Sequence, residues 1–424
     1  MTLAAHDVLD TVRRHVSEGR AALAELFGGH LELESEGALL RTTEGKEFLN
    51  CAGYGVFILG AVHPQVTEAV VAQVRRHPLS SRVLFDPLVA EAARTLIDVC
   101  PPGLEQVYFT GSGSEATEAA IKLARVHGKR RLITTTGGFH GKTMGALALT
   151  ANPMYQEPFR PLLPSVEQIP YGDAAALDKM LDDGVPSSFV VEPVQGEGGV
   201  VIPPSGYLEE VARICRERDA FLVVDEILTG LGRLGRWWGS EVDGPPITPD
   251  IMLVGKGLSG GVVPVAAMVG TKKAFAPFSR DPFLHSSTFA GAPVALAAAK
   301  AAIEAIRAED AVSAAQRIGD RLLKELRSAA ETHCGHLVRD VRGRGLLLGI
   351  EMRDAGMVGE LLSELFDRGV LVNHSLNNSA VIRLTPPATM TDEQIDRLLT
   401  GFTAAFEALR HRFPAAPSKE DLHA

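Results

Sequence analysis

Three short stretches set reactive or ligand-binding side chains at the ends of strand-like runs. In PDIMLVGKGLSGG, residues 249–261, Lys256 stands between two glycines just after the apolar run Ile251-Met252-Leu253-Val254. A lysine desolvated in this way loses basicity, and its neutral amine can form a Schiff base with a carbonyl. In VVDEILTGLGR, 223–233, the run ends in Asp225-Glu226, at the strand edge where α/β sheets place their ligands. A carboxylate there can bind a metal, act as a base or pair with a cationic heterocycle. Val223-Val224 upstream place at least one of the two acids in the interior, where a charge needs a partner. In FTGSGSEATEAAIKLARVHG, 109–128, a β-run leads into Gly111-Ser112-Gly113-Ser114 and then a helix that Gly128 closes. Ser112 and Glu115 have the spacing of a capping box, and the free N–H groups at such a helix start attract phosphate. Each stretch alone also has an ordinary reading: a solvated lysine, a surface acidic pair, a strand–helix turn.

Together the three match one cofactor, pyridoxal 5'-phosphate. Its phosphate needs backbone donors, its ring nitrogen a carboxylate that keeps it protonated, and its aldehyde an amine. No His/Asp cluster of the kind a metal hydrolase requires is visible, so no metal is assigned. A fourth stretch, GGFHGKT at 137–143, ends almost like a nucleotide-binding loop. That loop needs glycine, four residues, then Gly-Lys-Ser/Thr. Counting back five positions from Gly141 reaches Thr136, so the register fails.

The elements that must hold these residues follow from the hydrophobic pattern. Short β-rich runs at 107–110, 132–135, 189–191, 221–224 and 251–254 alternate with longer helical stretches between about 63 and 310. The runs are apolar on both faces, as strands covered by helices on each side are. That predicts an α/β domain with a mostly parallel sheet. Upstream, residues 8–26 read as an amphipathic helix stopped by Gly28-Gly29, followed by a strand at 47–50. Downstream, an Ala-rich helix from Pro293 and another at 313–331 precede strands at 346–350 and 381–384. These alternate with helices near 357–368 and 391–411, a smaller α+β unit. The divisions expected are 1–58, 59–310 and 311–424, with a frayed end from 415.

Composition narrows the class. The 424 residues carry a formal charge of −10 and 46% are apolar, ample for a buried core. An acidic chain lacks the basic footprint of a nucleic-acid binder. Cys51, Cys100, Cys215 and Cys334 are scattered without CxxC spacing, which fits buried thiols in a reducing compartment. The N-terminus has no apolar signal-peptide core and no run reaches membrane-spanning length. A cytoplasmic enzyme is expected, with neither nucleic-acid nor membrane partners.

Six ordered blocks extend this picture: NCAGYGVFILG at 50–60, PLSSRVLFDPL at 78–88, FHGKTMGALALTA at 139–151, EPVQGEGGVVIPPSGYL at 192–208, PFLHSSTFAGAPVA at 282–295 and LVNHSLNNSAVIRLTPP at 371–387. Over most of its length the chain resembles the class III (ω-type) aminotransferases, and among them it is most similar to the putrescine aminotransferases. The resemblance implies the fold-type-I α/β architecture, with a mostly parallel seven-stranded sheet and a smaller α+β domain, in a homodimer whose active site is shared across the interface. Residue by residue, it implies that Lys256 carries the cofactor as a Schiff base and shuttles the Cα proton, while Asp225 pairs with the pyridinium. Ser112, Gly113 and Ser114 would bind the phosphate, joined by Thr288 from the neighbouring subunit. Phe139 would stack on the ring with His140 beside it, and Ile227 would lie behind. Glu192 and Leu228 fall among the cofactor-binding positions. Arg383 matches the arginine that takes a substrate carboxylate, and Glu197 the glutamate that pairs with it when the substrate lacks one. Tyr54 falls where the family places a substrate-contacting aromatic.

There are departures. The family's Asp-Glu-Val/Ile-Gln reads Asp225-Glu226-Ile227-Leu228, which loses a donor to the cofactor's phenolic oxygen. Thr-Phe-Gly-Gly-Asn-Pro reads Thr288-Phe289-Ala290-Gly291-Ala292-Pro293, and the usual Gly-His is Gly60-Ala61. The activity implied is transfer of an amino group from a diamine, ω-amino acid or basic amino acid to a keto acid such as 2-oxoglutarate. The alternative keeps the cofactor but uses the Cα carbanion of an α-amino acid for elimination, replacement or carbon–carbon bond formation in specialised biosynthesis.

Overall fold

A computed structural model describes residues 4–81, 83–244 and 246–415, so most of the tail expected to fray lies outside the described residues. The first amphipathic stretch is two helices, Ala5–His15 and Glu18–Leu26, instead of one. Ser17 makes the break: its hydroxyl accepts from the N–H of Arg20 and caps the second helix. Strands β1 (Glu32–Glu36), β2 (Leu39–Thr42) and β3 (Glu47–Asn50) follow as an antiparallel meander.

The central sheet has seven strands: β4 (Gln106–Thr110), β5 (Arg131–Thr135), β6 (Val166–Ile169), β7 (Ser187–Val191), β8 (Phe221–Asp225), β9 (Ile251–Val254) and β10 (Ala266–Gly270), in the spatial order β4-β10-β9-β8-β7-β5-β6. Only β10 runs against its neighbours, so the sheet is mostly parallel as expected. Alternation along buried β8 explains its apolar run. Val223 packs with Ile251, Leu253 and the helix Gly113–Val126, whereas Val224 joins Phe189, Val191 and the helix Tyr207–Glu217 on the other face. Two strands were not evident from pattern. Edge strand β6 exposes Glu167 and Gln168 in its middle, and β10, Ala-Ala-Met-Val-Gly, is poor in β-branched residues.

The C-terminal unit is an antiparallel sheet of β11 (Val338–Arg344), β12 (Leu347–Met352), β14 (Asn373–Ser375) and β15 (Asn378–Leu384), backed by the helices Ala311–Cys334 and Gly356–Asp367, on which Asp392–Arg412 packs in turn. Between them β13 (Val370–Leu371) pairs in parallel with β3 and stitches the N-terminal meander to this unit.

The geometry that matters is one edge. Because β4 through β9 all run the same way, their carboxyl ends open onto one side of the sheet. There β4 leads to Ser112, β5 to Phe139 and His140, β7 to Glu192, β8 ends in Asp225, and β9 leads to Lys256.

Candidate active site

Asp225 is almost fully buried. Its Oδ2 lies 2.7 Å from His140 Nδ1, and its Oδ1 accepts the N–H of Ile227 at 3.1 Å. A carboxylate has about four acceptor sites, so this one keeps capacity for a further donor. Burial disfavours the His140 imidazolium, but the hydrogen bond and charge of Asp225, with Glu192 adding, outweigh it and raise the imidazole above its ordinary value. Glu192, also buried, accepts the N–H of Phe139 at 3.1 Å. Burial pushes its carboxyl up to about 7, Asp225 pushing the same way and His140 opposing. The neighbouring acid of the Asp225-Glu226 pair has a different fate. Glu226 takes the N–H groups of Gly239 and Ser240 at 2.9 and 2.8 Å and the Thr229 hydroxyl, so it pins a loop.

Lys256 opens a short 3₁₀ turn with its own backbone in the left-handed region, φ +41°, which is uncommon for a residue with a side chain. Burial lowers its pKa, Arg383 contributing in the same direction while Glu197, Asp225 and Glu192 oppose. No hydrogen bond or ion pair ties its amine among the described residues. Ile227 stands between this lysine and the phosphate-type loop: a Cβ at Gly113 would come within 2.8 Å of its Cδ1, and one at Gly255 within 3.2 Å of its Cγ2. Ser112 caps its helix by accepting from the Glu115 N–H at 3.3 Å. Glu115 reaches back to the N–H of Gly111 at 2.8 Å, one residue before the cap itself, which extends by one residue the capping box predicted from spacing. Ser114 packs against Gly141, where a side chain would clash with its hydroxyl. Thr288 is exposed; the adjacent Ser287 hydroxyl donates to Glu115 at 3.2 Å, so this loop lies beside the same helix start.

At the other end, Arg383 of β15 and Glu197 of the loop after β7 face one another at 2.5 Å, both buried. The contact is close enough for an ion pair but not aligned as a hydrogen bond, since neither Nη of Arg383 has a hydrogen-bond partner among the described residues. Leu228 is buried between Gly55 and Gly196, close to Lys256 and Arg383, as an apolar plug. Tyr54 is exposed, in a turn at φ +52°.

Four residues here were not singled out in advance. Arg233, buried with no carboxylate partner among the described residues, donates to the carbonyls of Pro386 (2.6 Å), Leu346 and Gly55 (both 3.3 Å), joining the Tyr54 turn to the C-terminal unit. Tyr155 donates to the Leu376 carbonyl at 3.2 Å, and burial, with Glu197 and Tyr54 nearby, raises its phenol. Asn377 donates to the carbonyls of Gly137 and Gly138 at 3.1 and 3.0 Å. Tyr171 donates to the carbonyls of Glu192 and Pro193 at 3.0 and 2.9 Å. Lys142 of the near-miss nucleotide loop lies 3.6 Å from the Tyr155 ring centroid, a cation–π contact.

The donor set therefore fits pyridoxal phosphate at each of its ends, with helix-start N–H groups, a buried acceptor and an untied amine along one sheet edge. The fold and this edge define a pyridoxal-phosphate-dependent transferase of fold type I. The chain belongs to the class-III aminotransferases, whose family model matches residues 30–406. Among solved structures it is similar to the ornithine aminotransferase of Toxoplasma gondii, with 30% identity over 96% of this chain and 95% of that one and a TM-score of 0.89. It is also similar to an (S)-enantioselective ω-transaminase from Thermomicrobium roseum, at 28% identity over 96% of this chain and all of that one (100%), TM-score 0.87. The Plasmodium falciparum ornithine δ-aminotransferase matches at 26% identity over 97% and 100% of the two chains, TM-score 0.84. No described helix is long and apolar enough to cross a membrane.

Proposed function

We propose that this enzyme transfers an amino group from a diamine, ω-amino acid or basic amino acid to a keto acid such as 2-oxoglutarate. The buried Glu197–Arg383 contact carries the reading. Masked by Glu197, Arg383 presents no free charge to an amine end that lacks a carboxylate. Released, it offers a guanidinium fork to the carboxylate of a keto acid. One pocket can then serve two unlike substrates in turn, and the ornithine and ω-transaminase neighbours agree with that class.

Bound at the sheet edge, pyridoxal phosphate supplies the electrophilic carbonyl and electron-withdrawing ring that make a substrate Cα–H acidic. Lys256 would hold its aldehyde, and Ser112, Gly113 and Ser114 its phosphate, with Thr288 lent by a second copy. Phe139 and Ile227 would sandwich the ring. The Asp225 carboxylate, backed by His140, would keep a proton on the ring nitrogen, and Glu192 fixes the Phe139 backbone. Lys256 Nζ, made less basic by burial, would take the Cα proton and return it once the substrate amine has replaced it at the aldehyde. Tyr54 would touch substrate at the mouth, and Leu228 shapes the wall between Lys256 and Arg383. A homodimer is supported by large apolar side chains left in water: Val83, Leu84 and Phe85, the last 94% exposed, and Phe283, 90% exposed. We place the enzyme in the cytoplasm, where the buried free thiols Cys51, Cys215 and Cys334 stay reduced.

The test incubates holoenzyme with putrescine, ornithine and ω-amino acids, with and without 2-oxoglutarate, and measures glutamate. Glutamate formed only when both are present is the expected result. Steady consumption of an amino acid with no keto acid would replace transamination by elimination, replacement or carbon–carbon bond formation.

A further inference from the structure

The turn between β14 and β15 touches both the Glu197 loop and the segment that carries Phe139. Toward the Glu197 loop, Ser375 Oγ donates to the Gly196 carbonyl at 3.2 Å and the Leu376 N–H to Glu197 Oε2 at 2.9 Å. The Asn377 N–H also reaches the Glu197 carbonyl at 2.9 Å. Toward the segment that carries Phe139, Asn377 Nδ2 donates to the carbonyls of Gly137 and Gly138, while its Oδ1 accepts from Asn152 Nδ2 at 3.1 Å. Two carbonyls can only accept, so this amide has one orientation. Tyr155 buttresses the same turn through the Leu376 carbonyl. The strand leaving the turn is β15, and it carries Arg383.

We propose that this turn couples the Glu197–Arg383 pair to the aromatic platform under the cofactor, with Asn377 as the positioning residue. Glu197 cannot swing off Arg383 without breaking its bond from the Leu376 N–H. Freeing that N–H loosens the turn, and Asn377 passes the change to Gly137-Gly138 and so to Phe139 and His140. A carboxylate arriving at Arg383 is thereby reported at the ring face. The inference rests on the reading of Arg383 as the carboxylate site.

The experiment titrates holoenzyme with glutarate, an unreactive dicarboxylate, and follows the circular dichroism of the bound cofactor beside glutarate affinity. Wild type should change its cofactor signal on binding. Asn377→Ala, whose side chain touches neither Glu197 nor Arg383, should bind glutarate about fivefold more weakly and lose most of that change. Asn152→Ala, which deletes one bond only, should show a partial loss in the same direction, and it decides the question if Asn377→Ala does not fold. If these variants keep the wild-type signal change and affinity, Asn377 is merely structural and the coupling is overturned while the function stands. If Arg383→Leu binds glutarate as wild type does, the carboxylate reading falls and the coupling with it.

Discussion

At the sheet edge Asp225 lies 2.7 Å from His140, and both of its oxygens are engaged by residues of the same α/β domain. Glu197 lies 2.5 Å from Arg383, but the carboxylate comes from the loop after β7 and the guanidinium from the C-terminal sheet. The first pair is hydrogen-bonded and locked; the second is close without hydrogen-bond alignment. On the proposed function, the difference separates two tasks. Asp225, proposed to stand beside a ring nitrogen that needs the same charge throughout the reaction, ends a strand of the central sheet. The Glu197–Arg383 pair, proposed to mask and unmask a charge for two alternating substrates, joins the loop after β7 to the C-terminal sheet.

Lys256→Ala strikes the locked region hardest. Turnover should fall by about 10²–10⁴-fold, the usual contribution of a general base or more. Borohydride should no longer fix the cofactor to the chain, and mass spectrometry reads this directly; fixation that persists would move the lysine assignment elsewhere. Phe139→Ala should weaken cofactor binding by up to about tenfold, the scale of one aromatic stacking contact, in a fluorescence titration.

The pH dependence of stability sharpens the same region. The folded chain holds the Glu192 proton more tightly than the unfolded chain does, so between about 4.5 and about 7 folding stability falls as pH rises. His140, also raised, adds loss in the same direction as pH climbs through its folded value. Glu192→Gln removes the first contribution. Its unfolding midpoint should therefore gain on wild type as the pH goes from about 5 to about 8, and a constant gap would contradict the burial argument. Smallest of all, Lys142→Ala gives up an exposed cation–π contact worth about 0.5–1 kcal/mol and should change cofactor affinity by less than about threefold.

The locked region was the legible one. Lys256 and Asp225 follow short apolar runs next to glycine or acid, and parallel strands bring such ends to one edge without further information. The Glu197–Arg383 region was legible only through family likeness, because its partners are far apart in the chain. Asn377 and Gly137 are 240 residues apart, and Arg233 and Pro386 are 153 apart. No local pattern marks an asparagine whose amide must bridge two carbonyls in another domain. The misleading Gly-Lys-Thr shows the same limit: its register excluded a nucleotide loop, but only the fold shows Lys142 resting on Tyr155.

The division of tasks is tested most directly by measuring the two half-reactions of Arg383→Gln separately, from the absorbance of the bound cofactor in single turnovers. With an amine that lacks a carboxylate, the variant should stay within a few fold of wild type. With 2-oxoglutarate it should slow or weaken by about 100-fold, as expected when a buried charge partner for a carboxylate is removed. Equal loss in both half-reactions would contradict the account, because Arg383 would then belong to the locked machinery and not to a gate.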